Sequence, residues 1–87
     1  MKENSKPYDD RPVSGKELAR CFDELKRSLG RPVVETVVYE LEIMHGIMLE
    51  GRYSYRLSEL EDALKKLLGD SAAELMMQSI VKHLSEK

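Results

Sequence analysis

Two glycines, Gly30 and Gly69, each end one apolar stripe of helical period and stand just before the start of another. Ahead of Gly30, Leu18, Cys21, Phe22, Leu25 and Leu29 recur at intervals of three and four, the spacing of one helix face. Ahead of Gly69, Leu60, Leu64, Leu67 and Leu68 do the same. Glycine reaches the left-handed conformations that stop a helix at little cost, so each serves as a C-cap. With links as short as Gly30–Arg31 and Gly69–Asp70, neighbouring helices must run antiparallel or cross steeply. This punctuation predicts an all-α fold, a compact bundle of four helices joined by short glycine-containing turns.

Helix starts are marked as well. Ser14 with Glu17 (SGKE), Ser58 with Glu61 (SELE) and Ser71 with Glu74 (SAAE) have the spacing of a capping box. In such a box the hydroxyl and the carboxylate each satisfy an orphan backbone N–H. The second helix has Pro32 in its first turn, where the missing N–H costs nothing. Val34, Val37, Val38, Leu41, Met44, His45 and Met48 share one face if that helix runs on to Leu49, with Gly46 as an interruption or cap. The valines at 33, 34, 37 and 38 also suit a strand, but they lack a period-two alternation. In the fourth helix Ala72, Ala73, Met76, Met77, Ile80, Val81 and Leu84 cover about half the circumference, and Leu75 falls outside that arc. So apolar a helix is central in the bundle or part of an interface. Exposed pairs four apart are expected at Asp23–Arg27, Glu61–Lys65 and Asp62–Lys66. Residues 51–57 hold the one plausible extended segment. No internal repeat is evident. Residues 1–12, with Pro7 and Pro12, read as a flexible tail in which Tyr8 is solvated, and residues 13–87 as a single helical domain.

Composition narrows the function. The 87 residues are 41% hydrophobic and 34% charged, too apolar for disorder throughout. The net charge of −2 disfavours partners rich in phosphate, which reward a basic excess. A lone cysteine, Cys21, excludes an internal disulfide and suits a reducing cytoplasm. It falls in the apolar stripe, so packing is its expected role. MKENSKPYDDR lacks the apolar core of a signal peptide, and no apolar run approaches the roughly 18 residues of a membrane span. A cytoplasmic location without membrane contact is the expectation.

Three motifs invite chemistry. Gly69-Asp70-Ser71 is the kind of triplet that carries a prosthetic arm or a hydrolase nucleophile. Only one helix follows Ser71, Ala72 stands where a leucine normally does, and a hydrolase needs a positioned base and acid. The helix-joint reading explains the same residues. EIMHGIM, residues 42–48, groups Met44, His45 and Met48, soft ligands suited to copper(I), but His83 is far along the chain. Core filling is the commoner role of such methionines. The third and fourth helices resemble a helix-turn-helix spanning 58–84, yet a recognition helix needs an open polar and basic face. Arg20, Lys26, Arg27, Arg31, Lys65 and Lys66 all have acidic neighbours, the pattern of a solvated surface. No nucleophile–base pair, paired acids or phosphate loop stands out, so no catalytic, cofactor-binding or metal residue is assigned.

Tyr53 and Tyr55 between Arg52 and Arg56 are residue types enriched in binding hot spots. Together with Leu75, Met77 and Val81 of the fourth helix they form the candidate interaction surface. The expected function is a non-catalytic regulatory or protein-interaction module with a protein partner, self-association included. A DNA-binding regulator using 58–84 is the alternative, with nucleic acid the less favoured partner.

Ser28-Leu29-Gly30, Val37 to Ile47 (VVYELEIMHGI) and Leu60 to Leu84 together resemble the small archaeal domain called the Nitrosopumilus output domain. The shared features are Leu41-Glu42 with Gly46-Ile47, the leucine-rich helix before Gly69, Ala72, and Ile80 with Leu84. The family often has a second glycine where this chain has Ser71. The resemblance spans residues 28–84 and implies a compact helical domain with a regulatory output role. It supplies no catalytic residues.

Overall fold

A computed structural model describes residues 8–85. The elements follow the order β1 (Pro12–Ser14), α1 (Gly15–Leu29), α2 (Arg31–His45), β2 (Ser54–Arg56), α3 (Leu57–Leu68) and α4 (Asp70–Ser85). Four helices form the bundle, and the two short strands pair antiparallel at one pole, with Val13 opposite Tyr55. The fold is all-α, and the strand pair is a minor addition.

Both helical joints are single glycines. Gly30 (φ 93°) and Gly69 (φ 89°) lie at positive φ with extended ψ, a region that side chains with a Cβ rarely enter. Each glycine closes one helix and opens the next. The Gly30 N–H donates to Lys26 O and its carbonyl accepts from Val34 N; the Gly69 N–H donates to Lys65 O and its carbonyl accepts from Ala73 N. One residue thus does the work that a C-cap and an N-cap usually share.

The serine caps fare differently from one another. Ser14 caps α1, its hydroxyl accepting from Glu17 N at 3.1 Å. Ser58 and Ser71 do not cap, because α3 begins at Leu57 and α4 at Asp70, which places both serines inside the first turn. At α3 the reach-back comes from Glu59, whose carboxylate accepts from Arg56 N at 2.9 Å. The freed Ser58 N–H donates to Asp10 Oδ1 at 3.0 Å, a capping group supplied from far along the chain.

That contact alters the reading of the amino terminus. Residues 1–7 of the expected tail lie outside the described residues, but residues 8–12 are seated on the body. Pro12 opens β1, Asp10 caps α3, and the half-buried Tyr8 packs against the core. The Tyr8 hydroxyl donates to Glu61 Oε1. Glu61 is correspondingly buried at 9% exposure rather than lying on the outer face, and it also approaches Lys65 Nζ at 3.9 Å.

The chain is built as β-α-α twice, a repetition that the sequence reading missed. The order β1-α1-α2 repeats as β2-α3-α4 on either side of the antiparallel strand pair, with equivalent positions buried in both halves. Glu17 and Glu59 take the same place three residues past their caps. Leu18, Cys21 and Phe22 correspond to Leu60, Ala63 and Leu64, and all six are buried. Val34, Val37 and Leu41 of α2 correspond to Ala73, Met76 and Ile80 of α4, again all buried. Helices also pack across the halves, α1 extensively on α4 and α2 more sparingly on α3. Cys21 sits at that crossing with 0% exposure, its thiol directed at Ile80 O at 3.7 Å.

Candidate interaction surface

The expected surface residues scatter once the chain is folded. Met77 is 3% exposed and belongs to the core, and Val81 packs against it half-buried; neither is a surface anchor. Their burial follows from α4 lying against both α1 and α3. Leu75 is exposed at 66%. In the 51–57 segment, Tyr55 turns inward and ties down the loop after α2. Its hydroxyl accepts from Met48 N at 2.8 Å and donates to Gly46 O at 3.4 Å. Arg56 Nη1 donates to Asp10 O at 3.0 Å, and Arg52 Nε stands 4.0 Å from Glu50. Tyr53 is partly exposed, while its carbonyl accepts from Gly15 N at 2.8 Å. This segment mainly fastens the two halves together.

Most of the large apolar residues left in water lie on α2 instead. That helix ends at His45, with Gly46 in the left-handed conformation as its cap, so Met48 leaves the helical face. Val34, Val37 and Leu41 point into the core. Val33, Tyr39, Ile43 and Met44 are 52–66% exposed. At 100° per residue these four, with Thr36 and Glu40, fall within about 140° of the circumference. Met44 was expected on the buried face and is instead the most exposed of the four. Near the start of α2, Val33 lines a groove of about 350 Å³ with Leu29, Leu68, Ala72, Leu75 and Met76. Leu29, the last residue of α1, is itself 44% exposed at the open end of the helix's apolar stripe.

A second concavity, about 280 Å³, lies between the amino-terminal segment, α3 and α4. Its walls include Tyr8, Glu61, Met77 and Val81. Burial first, and then the hydrogen bond to Glu61, push the Tyr8 phenol above its ordinary pKa. Tyr8 and Glu61 are thus engaged with each other, while Glu74, Gln78 and Lys82 complete the polar part of the lining. In the other half, Leu49 lies against Ala19, Phe22 and Val38 at the corresponding place.

The remaining candidates are placed as follows. Burial raises the Cys21 pKa, the opposite of thiolate activation. Among the described residues no three His, Cys, Asp or Glu side chains come together to hold a metal. Asp23 pairs with Lys26 at 3.2 Å rather than with Arg27. Glu35 bridges the first turn, 4.0 Å from Lys26 and 3.7 Å from Arg31. No helix among the described residues is long and apolar enough to cross a membrane.

Comparison with protein-family models, with curated proteins and with solved structures finds no match. The resemblance to the Nitrosopumilus output domain therefore rests on the quoted residues alone.

The outer face of α2 had a signal in the sequence. Val33, Tyr39 and Ile43 fall outside the face that Val34, Val37 and Leu41 define, so α2 carries large apolar residues on an outer arc as well as on its buried face.

Proposed function

We propose that the chain is a non-catalytic protein-interaction module and that the outer face of α2 is its docking surface. The observation that carries this reading is the outer arc of α2, where Val33, Tyr39, Ile43 and Met44 are left in water. An exposed apolar patch of this kind is a recurrent mark of an interface. The resemblance to an output domain supports a regulatory setting. The broader cytoplasmic assignment belongs to the same proposal.

The alternative, a DNA-binding regulator built on 58–84, has less support. A helix-turn-helix usually separates its helices by three or four residues, whereas α3 and α4 meet at Gly69 alone. The exposed positions of α4 include Glu74, Leu75, Gln78 and Lys82, with little cationic character.

The test compares immobilised wild-type chain with an Ile43→Glu, Met44→Glu double variant in native cell extract. Circular dichroism of both proteins controls for folding. A partner retained by the wild type and lost by the variant supports the reading; equal retention by both overturns it. Titration with duplex DNA at two salt concentrations addresses the alternative, for which strong salt-sensitive binding is required.

A further inference from the structure

We infer that the partner seated on the α2 face is a basic amphipathic helix of another protein, with apolar side chains along one side and a Lys or Arg placed to meet Glu40. This inference rests on the interaction reading above and names the chemistry of its partner. Three observations lead to it: the shape of the exposed strip, the carboxylate set within it, and the position of the nearest cation.

The strip is a single helix face. From Val33 to Met44 it runs about 16 Å at the usual rise per residue, long enough to lie along one partner helix. The backbone in the body of α2 is bonded within the helix, so the strip has no row of free N–H and C=O groups for an extended segment to pair with. A partner that covers it must arrive with its own backbone satisfied, as a helix does. Beyond Val33 the strip continues into the groove lined by Leu29, Leu68 and Leu75, a place for one apolar side chain at the end of such a helix.

Glu40 lies inside the strip. On the circumference of α2 it falls between Ile43 and Val33, and it is half-buried. Its carboxylate has no ion pair or hydrogen bond among the described residues, whereas Glu35 is approached by both Lys26 and Arg31. Water serves the Glu40 carboxylate while the face is open. A partner that covers Ile43 and Val33 removes that water, and a covered carboxylate without a donor is strongly unfavourable. The partner therefore brings the donor, and a Lys or Arg supplies charge and hydrogen bond together. Glu42, exposed just beyond Tyr39, adds a second negative group at the edge of the strip.

A second copy does not meet this need. Arg31 is the only Lys or Arg of α2, and it lies off the strip, 3.7 Å from Glu35. Pairing two α2 faces about the middle of the strip, parallel or antiparallel, sets Glu40 near its own counterpart instead of a cation, and like charges so placed oppose association. Folding of the single chain does not ask for this face either. Positions on α4 equivalent to Tyr39, Glu40 and Ile43 hold Gln78, Ser79 and Lys82, with neither an acid nor a large apolar residue among them.

The probe is a displayed library of helical peptides about 18 residues long, enough to span the strip, with Leu fixed at intervals of three and four and Lys, Arg, Glu or Gln at the flanking positions. Selection on the wild-type chain should enrich Lys or Arg at one flanking position. A selected peptide, followed by fluorescence anisotropy, should bind Ile43→Glu and Glu40→Gln at least about tenfold more weakly than wild type. Exchanging its enriched cation for Glu should restore binding to Glu40→Lys, and Lys82→Glu on α4 should leave binding unchanged. Circular dichroism of each variant controls for folding. A library that yields no binder overturns the inference, as do selected peptides without a cation preference or with equal affinity for wild type and Glu40→Gln. So does sedimentation equilibrium in which the wild type self-associates and Ile43→Glu does not, because the occupant is then a second copy. The extract experiment fails separately. A partner lost by Ile43→Glu, Met44→Glu but kept by Glu40→Gln retains the docking surface and removes the basic helix; equal retention by all removes the surface itself.

Discussion

Helices α2 and α4 hold equivalent places in the two halves of the molecule, yet they meet their surroundings differently. α4 packs on both α1 and α3 and buries Ala73, Met76, Met77, Ile80 and Leu84. α2 packs well on α1 and more lightly on α3, burying Val34, Val37 and Leu41. The helix with less cover carries the more apolar outer face. Hydrophobic burial scales with apolar area removed from water, so selection for folding alone would place the apolar excess on the better covered helix. The reversed arrangement is what makes α2, and not α4, the surface to test.

The same comparison orders the expected effects of substitution. Leu41→Ala and Ile80→Ala remove equivalent fully buried side chains and should each cost about 2–5 kcal/mol, read as a shift in the urea midpoint. The Leu41 value should be the smaller, because the lighter packing around α2 relaxes more readily. A negligible cost at Leu41 would show that α2 is not docked as described.

Tyr8 and Leu49 cover corresponding grooves, one through a polar contact and the other through an apolar one. Tyr8→Phe keeps the ring and deprives the buried Glu61 carboxylate of a donor, at an expected cost of about 1–2 kcal/mol. The phenol pKa is raised in the folded chain, so its contribution is intact below the unfolded tyrosine value near ~10 and is lost as pH rises beyond it. Thermal melts across the alkaline range should therefore show a steeper decline for the wild type than for Tyr8→Phe. Parallel curves would remove Tyr8 ionisation from the account.

Two serines that looked alike in sequence should separate. Ser14→Ala loses the α1 cap and should cost ~0.5–2 kcal/mol, whereas Ser71→Ala, inside the first turn of α4, should change stability by less than ~0.5 kcal/mol. Equal costs would restore Ser71 as a cap. The smallest effect on stability is expected for Ile43→Lys, which gives α2 the residue type found at the equivalent position of α4. Its denaturation midpoint should correspond to within ~0.5 kcal/mol of the monomeric wild type, as for most exposed sites.

The helical content, the breaks at Gly30 and Gly69, the Ser14 cap and the inward stripe of α1 were legible in the sequence. Each depends on residues within one or two turns of one another, so local spacing and backbone preference suffice to specify them. The β-α-α repetition was hidden because equivalent positions match in burial rather than identity, and because α3 is shorter than α1, at 12 residues against 15. β1 was hidden because three residues provide too little alternation to mark a strand; only pairing with Ser54–Arg56 defines it.

Tertiary structure alone decided the fate of the groups that depend on distant partners. Glu61 is buried because Tyr8 reaches it, and the first turn of α3 is capped by Asp10 and Glu59 rather than by Ser58. Tyr55 is drawn inward by the backbone after α2, and Met77 is enclosed while Met44 is left in water. Backbone preference is settled within a few residues, whereas burial depends on which other helix arrives to cover a face. The sequence alone determined where the helices are; packing between the halves determined that the apolar face left open belongs to α2.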